Sequence, residues 1–61
     1  PFELSPICQE LLSAISKQGP IHRDQLANLF NLHIGLLSTH LLTLELNGLI
    51  LPHGGAFYSI R

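Results

Sequence analysis

The sequence predicts a small, mainly α-helical domain that ends in a β-hairpin. Apolar residues recur at helical spacing in three successive segments. Each segment ends at a Gly or Asn, the residues that most readily adopt the left-handed conformation found after a helix. After the third segment the pattern changes to two short strand-like runs around a Gly-Gly pair, which is typical of a hairpin.

The first helix is predicted to begin at Ser5-Pro6 and to end at Gly19-Pro20. Ser accepts a hydrogen bond from a free N–H group at a helix start, and Pro is tolerated at the first helical position. A short extended segment, Pro20-Ile21-His22, follows. The apolar residues that share one face of the helix, and that we expect to point inward, are Ile7, Leu11, Leu12 and Ile15.

The second helix begins near His22 or Arg23 and ends at Asn31. Asp24 lies in its first turn, where the helix dipole favours negative charge. Its inward residues are predicted to be Leu26, Leu29 and Phe30. The short segment Leu32-His33 separates this helix from the next, and so short a connection predicts a helix-turn-helix.

The third helix is predicted from about Ile34 to Asn47, with His33 near its N-cap and Gly48 just beyond its end. Its core stripe is predicted to be Ile34, Leu37, Leu41 and Leu44. The hairpin then consists of a strand, a turn whose glycines supply positive φ, and a second strand, at Leu49–Leu51, Pro52–Gly55 and Phe57–Ile60. This order predicts a winged helix-turn-helix fold: three helices plus a two- or three-stranded wing.

Composition and charge limit the classes of function. The 61 residues suffice for one small domain, and charged residues make up only 11% of them. The strong cations are Lys17, Arg23 and Arg61 and the net charge is −1, which argues against strong binding to a polyanion. The chain has no long apolar run and no basic leader, and its lone Cys8 forms no internal disulfide, so we expect a cytoplasmic protein without a membrane span.

Several segments resemble one known family. Residues 41–50 read LLTLELNGLI and are similar to the end of the third helix in the C-terminal winged-helix domain of the DprA (Smf) family. His53-Gly54-Gly55, followed by Phe57-Tyr58 and Arg61, resembles the end of that domain, and Asp24–Ala27 is similar to its second helix. Leu42 and Leu46 stand where other winged-helix proteins usually carry polar residues, which favours this family.

The resemblance implies a role in DNA processing. DprA proteins bind single-stranded DNA through a separate Rossmann-like domain and help to load RecA during natural transformation. Because the chain starts at Pro1 and is poor in charge, we expect residues 1–61 to be one winged-helix domain, the C-terminal piece of a larger protein. The expected partners are the Rossmann-like domain of that protein or another subunit, RecA by resemblance, and DNA weakly. The alternatives are the DNA-binding domain of a transcriptional regulator and a structural interaction domain.

A winged helix usually places its third helix in the major groove and its wing beside the backbone. The candidate DNA contacts are therefore Arg23, Ser38, Thr39, Thr43, Gly54 and Gly55. No Arg or Lys occurs from Ile34 to Ile60, so neither the third helix nor the wing carries the Arg that pairs with guanine. A solvated helix surface is the alternative interpretation of Ser38 and Thr39.

Three leucines of the third helix lie off its core stripe, and they are candidates for docking onto protein: Leu36, Leu42 and Leu46. The alternative is that Leu46 packs beneath the hairpin and Leu42 against the end of the first helix. We expect the domain to act through such protein docking or through weak DNA contact.

Neither a metal site nor catalysis is expected. His33 and His40 lie seven positions apart, about 10.5 Å along a helix, too far to share one ion. Cys8 follows the start of the first helix on its buried side, which favours a core residue over a nucleophile. The carboxylates have no close partners in the sequence, and they are Glu3, Glu10, Asp24 and Glu45. We therefore predict a non-enzymatic domain without a cofactor.

Overall fold

The computed structural model of the chain describes residues 4–61. Glu3, one of the four carboxylates considered above, lies with Pro1 and Phe2 outside the described residues. The elements in chain order are α1 (Pro6–Gln18), β1 (Ile21–His22), α2 (Arg23–Phe30), α3 (Ile34–Leu46), β2 (Ile50–His53) and β3 (Phe57–Ile60). The predicted fold class, three helices and a small wing, is confirmed.

The three strands form one antiparallel sheet in the order β1-β3-β2. β1 pairs with β3 through Ile21 opposite Tyr58. β2 pairs with β3 along its whole length, from Ile50 opposite Ile60 to His53 opposite Phe57. The segment between α1 and α2 is therefore the third strand of the wing.

Each helix begins at a side chain that caps it. The hydroxyl of Ser5 accepts a hydrogen bond from the Cys8 N–H at 3.4 Å. His22 and His33 cap α2 and α3 through Nδ1, which accepts from the Asp24 N–H at 3.0 Å and from the Gly35 N–H at 3.1 Å. The prediction that His33 lies at the N-cap of the third helix is confirmed.

α2 and α3 end in the left-handed conformation predicted for them. Asn31 has φ 52° and ψ 45°, and Gly48 has φ 72°. After α3, the Gly48 N–H donates to the Glu45 carbonyl at 2.9 Å and the Leu49 N–H donates to the Leu44 carbonyl at 3.0 Å. This pair of bonds is the Schellman motif, which satisfies the last carbonyls of the helix.

α2 and α3 form the helix-turn-helix, with their axes at 112° across the connecting turn. This angle lies in the range of about 90–120° that is usual for the motif. In residues 4–61 no single helix is long and apolar enough to cross a membrane, and α2 and α3 meet that criterion only when their lengths are combined.

One apolar core joins the helices to the base of the sheet. Its buried residues are Cys8, Leu11, Ile15, Ile21, Leu26, Leu37, Leu41, Leu44 and Ile50. The predicted burial of Cys8 on the inner side of α1 is confirmed. Ile7, Leu12 and Phe30, which were also predicted to point inward, are partly buried against this core.

Two predicted core residues are exposed. Leu29 was assigned to the inward side of α2, but it borders a surface groove between α1 and α2 together with Ala14 and Lys17 of α1. Ile34 was assigned to the core stripe of α3, but it is the first residue of that helix and is 38% exposed. Both assignments are wrong, because spacing along one helix does not tell which of its positions another element covers.

The hairpin differs from its prediction in the bounds of its first strand and its turn. β2 was predicted at Leu49–Leu51, but it runs from Ile50 to His53, so that Pro52 and His53 belong to the strand instead of the turn. Pro is tolerated there because β2 is an edge strand. The turn contains Gly54, Gly55 and Ala56, and its positive φ angles fall on Gly55 (79°) and Ala56 (63°) instead of on both glycines.

Candidate interaction surfaces

The leucines off the core stripe of α3 are all exposed, and Leu36 lies about 9 Å along the helix from Leu42. Leu36 and Leu42 are about half exposed, and Leu46 is 76% exposed. Leu42 and Leu46 are neighbours because they lie one helical turn apart. The alternative that packed Leu46 beneath the hairpin is therefore wrong, and Leu42 is at most partly covered by α1. We call Leu36, Leu42 and Leu46 the leucine surface.

Two of the three hydroxyl groups of α3 are used within the helix. Thr39 Oγ1 donates to the Gly35 carbonyl at 3.2 Å, and Thr43 Oγ1 donates to the Thr39 carbonyl at 3.1 Å. Ser38 is partly buried. A phosphate oxygen accepts hydrogen bonds, so a hydroxyl whose proton is already donated has none to offer it. In this conformation Thr39 and Thr43 therefore present acceptors to the surface of the helix.

The candidate contacts Arg23, Gly54 and Gly55 meet at the wing. The Arg23 N–H, at the start of α2, donates to the carbonyl of Ala56 in the wing turn at 2.9 Å. Gly54 and Gly55 are exposed. In the part of the chain that the structure describes, Arg23 Nε is buried without a hydrogen-bond partner, and no carboxylate lies within 4 Å of the guanidinium. The positive charge of Arg23 is therefore not neutralised by an ion pair within this region.

A row of three rings crosses the wing, and the sequence analysis did not single it out. Phe57 of β3 pairs with His22 of β1 on one side and with His53 of β2 on the other. Directly paired residues of antiparallel strands point to the same side of the sheet. Ile21 and Tyr58, the adjacent pair, are buried and partly buried toward the helices. The three rings therefore lie on the opposite, outer side, and we call them the ring row.

The order of the elements agrees with a comparison against protein families. The model of the DprA winged helix domain matches residues 1–56. The chain belongs to the DprA winged helix domain family. Comparisons with curated proteins and with solved structures gave no match. A winged helix domain is typically a non-catalytic module that binds DNA or another macromolecule.

A surface groove of this DprA winged helix domain lies between α1 and the base of the wing. It has a volume of about 610 Å³. Its lining is mostly apolar, with polar groups of α1 at its rim and Arg61 as its charged group, and includes Leu12, Leu49 and Ile60. The leucine surface and the ring row do not contribute to it.

The possible metal ligands and nucleophiles of the DprA winged helix domain are dispersed. Within residues 4–61 no three His, Cys, Asp or Glu side chains are close enough together to hold an ion. Cys8 Sγ lies 3.7 Å from His40 Nδ1, but the thiol is buried in the core. The Cys8–His40 contact is therefore part of the packing between α1 and α3.

Proposed function

We propose that this domain is an accessory module of a DprA-type DNA-processing protein and that it docks onto protein through the leucine surface. The observation that supports this proposal is the exposure of three leucines on α3. The helix that usually enters the major groove instead turns Leu36, Leu42 and Leu46 to the outside. Each Å² of apolar surface removed from water contributes about 25 cal/mol, so covering these side chains favours association.

Insertion of α3 into a major groove is disfavoured by its chemistry. α3 and the wing carry no Arg or Lys, although phosphate neutralisation supplies most of the non-specific affinity for DNA. The hydroxyl protons of Thr39 and Thr43 are donated within α3. The α3 surface therefore provides no Lys or Arg, and the hydroxyl protons of Thr39 and Thr43 are already donated within the helix.

The size of the leucine surface favours a partner that is tethered to it. Three partly exposed leucines supply a few hundred Å² at most, whereas a standard interface buries about 800 Å² on each partner. A contact of this size becomes significant when both partners belong to one protein, because a short linker gives an effective concentration of about 1 mM. The proposed occupant is thus the Rossmann-like domain of the same protein, or of another subunit of it.

The family membership suggests the wider role. The proposed parent is cytoplasmic, binds single-stranded DNA through its Rossmann-like domain and helps to load RecA during natural transformation. In this proposal the winged helix performs no catalysis and holds no cofactor. It positions or regulates the DNA-binding domain by docking onto it.

The test is an NMR titration of the isotope-labelled chain with the Rossmann-like domain of its own protein, prepared separately. We expect shifts centred on Leu36, Leu42 and Leu46. Leu42→Asp places a charge in the contact and is expected to weaken binding about tenfold or more. Asn28→Asp introduces the same charge at an exposed position of α2 and serves as the matched control.

The proposal is wrong if Leu42→Asp and Asn28→Asp bind equally well. It is also wrong if the α3 resonances respond to a short DNA duplex and not to the Rossmann-like domain. That result would indicate the alternative function, a DNA reader of the kind found in transcriptional regulators.

A further inference from the structure

We propose that the ring row on the outer side of the wing is a stacking surface for unpaired nucleic-acid bases, with Arg23 as the phosphate contact. This site lies on the sheet and not on α3, so it is independent of the docking proposed above. The inference rests on the placement of His22, Phe57 and His53 in one row across three strands.

The rings are held in place by their neighbours. The His22 and Phe57 ring centroids are 5.1 Å apart with the planes at 85°, an edge-to-face contact. The other side of Phe57 lies near the wing turn: a Cβ atom added at Gly55 would be 3.5 Å from Phe57 Cδ2. His53 Nε2 is 2.6 Å from Ser59 Oγ on the neighbouring strand. The row is thus ordered before a ligand arrives, which lowers the entropic cost of binding.

The row is also accessible. Phe57 remains 39% exposed despite its contact with His22, and His53 is exposed. Phe57 contacts the ring of His22 and is paired in register with His53, so a planar ligand would meet an apolar surface with imidazole groups on both sides of it. Bases are such ligands, and they stack on aromatic side chains when they are not paired with a complementary strand.

Arg23, next to His22 in the chain, carries a positive charge that suits a phosphate. Its N–H is bonded to the wing turn. Its Nε is buried without a hydrogen-bond partner, and no carboxylate lies within 4 Å of its guanidinium among residues 4–61. The Asp24 carboxylate adjoins the row, with Oδ2 3.8 Å from His22 Nδ1, but its side chain is largely exposed. A single cation predicts weak binding with a shallow salt dependence, a decrease of roughly 0.7 in log K per tenfold increase in salt for one neutralised phosphate.

The experiment titrates the labelled 61-residue chain at low salt with three probes: a short oligothymidylate, an abasic oligomer with the same number of phosphates, and a duplex. We expect the oligothymidylate to shift the resonances of His22, Phe57 and His53. The abasic oligomer is expected to bind about fivefold more weakly or worse, since one stacked base contributes about 1 kcal/mol or more. The duplex should also bind more weakly, because its bases are already stacked.

Three variants locate the site. Phe57→Leu keeps an apolar side chain but removes the ring, and it should weaken oligothymidylate binding about fivefold or more. Leu51→Ala, an exposed position of β2 that carries no ring, should leave binding unchanged. Arg23→Gln should abolish the salt dependence. Leu42→Asp should have no effect, which separates this inference from the docking of α3.

Equal affinity for the abasic oligomer and the oligothymidylate would overturn the inference, and this comparison requires no variant. Unchanged binding by a folded Phe57→Leu would also overturn it. So would shifts of the ring row caused by the Rossmann-like domain and not by the oligothymidylate, because they would assign the row to a protein partner.

Discussion

Two leucines of α3, two positions apart, should respond very differently to the same truncation. Leu44 is fully buried, whereas Leu46 is 76% exposed. Leu44→Ala removes buried atoms and leaves a cavity, which costs about 2–5 kcal/mol of unfolding free energy. A 61-residue domain has a total of roughly 3–9 kcal/mol, so this loss brings it close to unfolding. Leu46→Ala should change the unfolding free energy by less than about 0.5 kcal/mol.

Urea and thermal unfolding followed by far-UV circular dichroism measure both variants, since the chain has no Trp. Leu44→Ala should lower Tm by more than about 10 °C, because 1 kcal/mol corresponds to about 4–8 °C in a domain of this size. Leu46→Ala should unfold like the parent chain. Equal destabilisation by the two changes would show that Leu46 is covered within the domain, and it would remove the leucine surface together with the docking proposal.

Three further predictions follow from the caps, the turns and the core. Gly48→Ala should cost about 1 kcal/mol because φ is 72° there, whereas Gly54→Ala, with open space and no positive φ, should be nearly neutral in the same urea titration. His33→Ala should cost about 1 kcal/mol through loss of the α3 N-cap, and His33→Asp, which keeps an acceptor, should retain most of the stability; similar midpoints for the two would argue against the cap. The buried Cys8 thiol should react with a disulfide reagent only as fast as the domain opens, and labelling as fast as in urea would contradict its burial.

The helices were predictable because each depends on local chemistry. Ser5-Pro6 begins α1, and Asn31 and Gly48 end α2 and α3, through hydrogen bonds and backbone angles that span only a few residues. The buried positions at the centre of each helix also follow from spacing alone, as Leu37 and Leu41 show. The family was recognisable for the same reason, since its most distinctive segment contains the end of α3 and the first residues of the wing.

The predictions fail for residues whose exposure, backbone angle or neighbours depend on another element of the fold. The exposure of Leu29 and Ile34 depends on which neighbouring elements cover them, and helical spacing does not contain that information. The positive φ of Ala56 depends on the register of β2 and β3, which leaves a three-residue turn between His53 and Phe57. The ring row depends on the same register. Alternation along β3 places Phe57 on one side of a strand, but only pairing brings His22 and His53 beside it.

The composition of α3 shows why the assignment of its outer surface requires the fold. A helix that is apolar on all sides is normally covered on all sides. Within this domain the core covers Leu37, Leu41 and Leu44, while Leu42 and Leu46 stay exposed. Helical spacing already puts the two groups on different sides of α3, but it does not tell whether another element of the domain covers the second group. The structure leaves that group exposed, and its apolar character then requires an explanation other than the stability of this domain. A protein partner supplies it, since covering the outward leucines stabilises a complex without changing the fold that presents them.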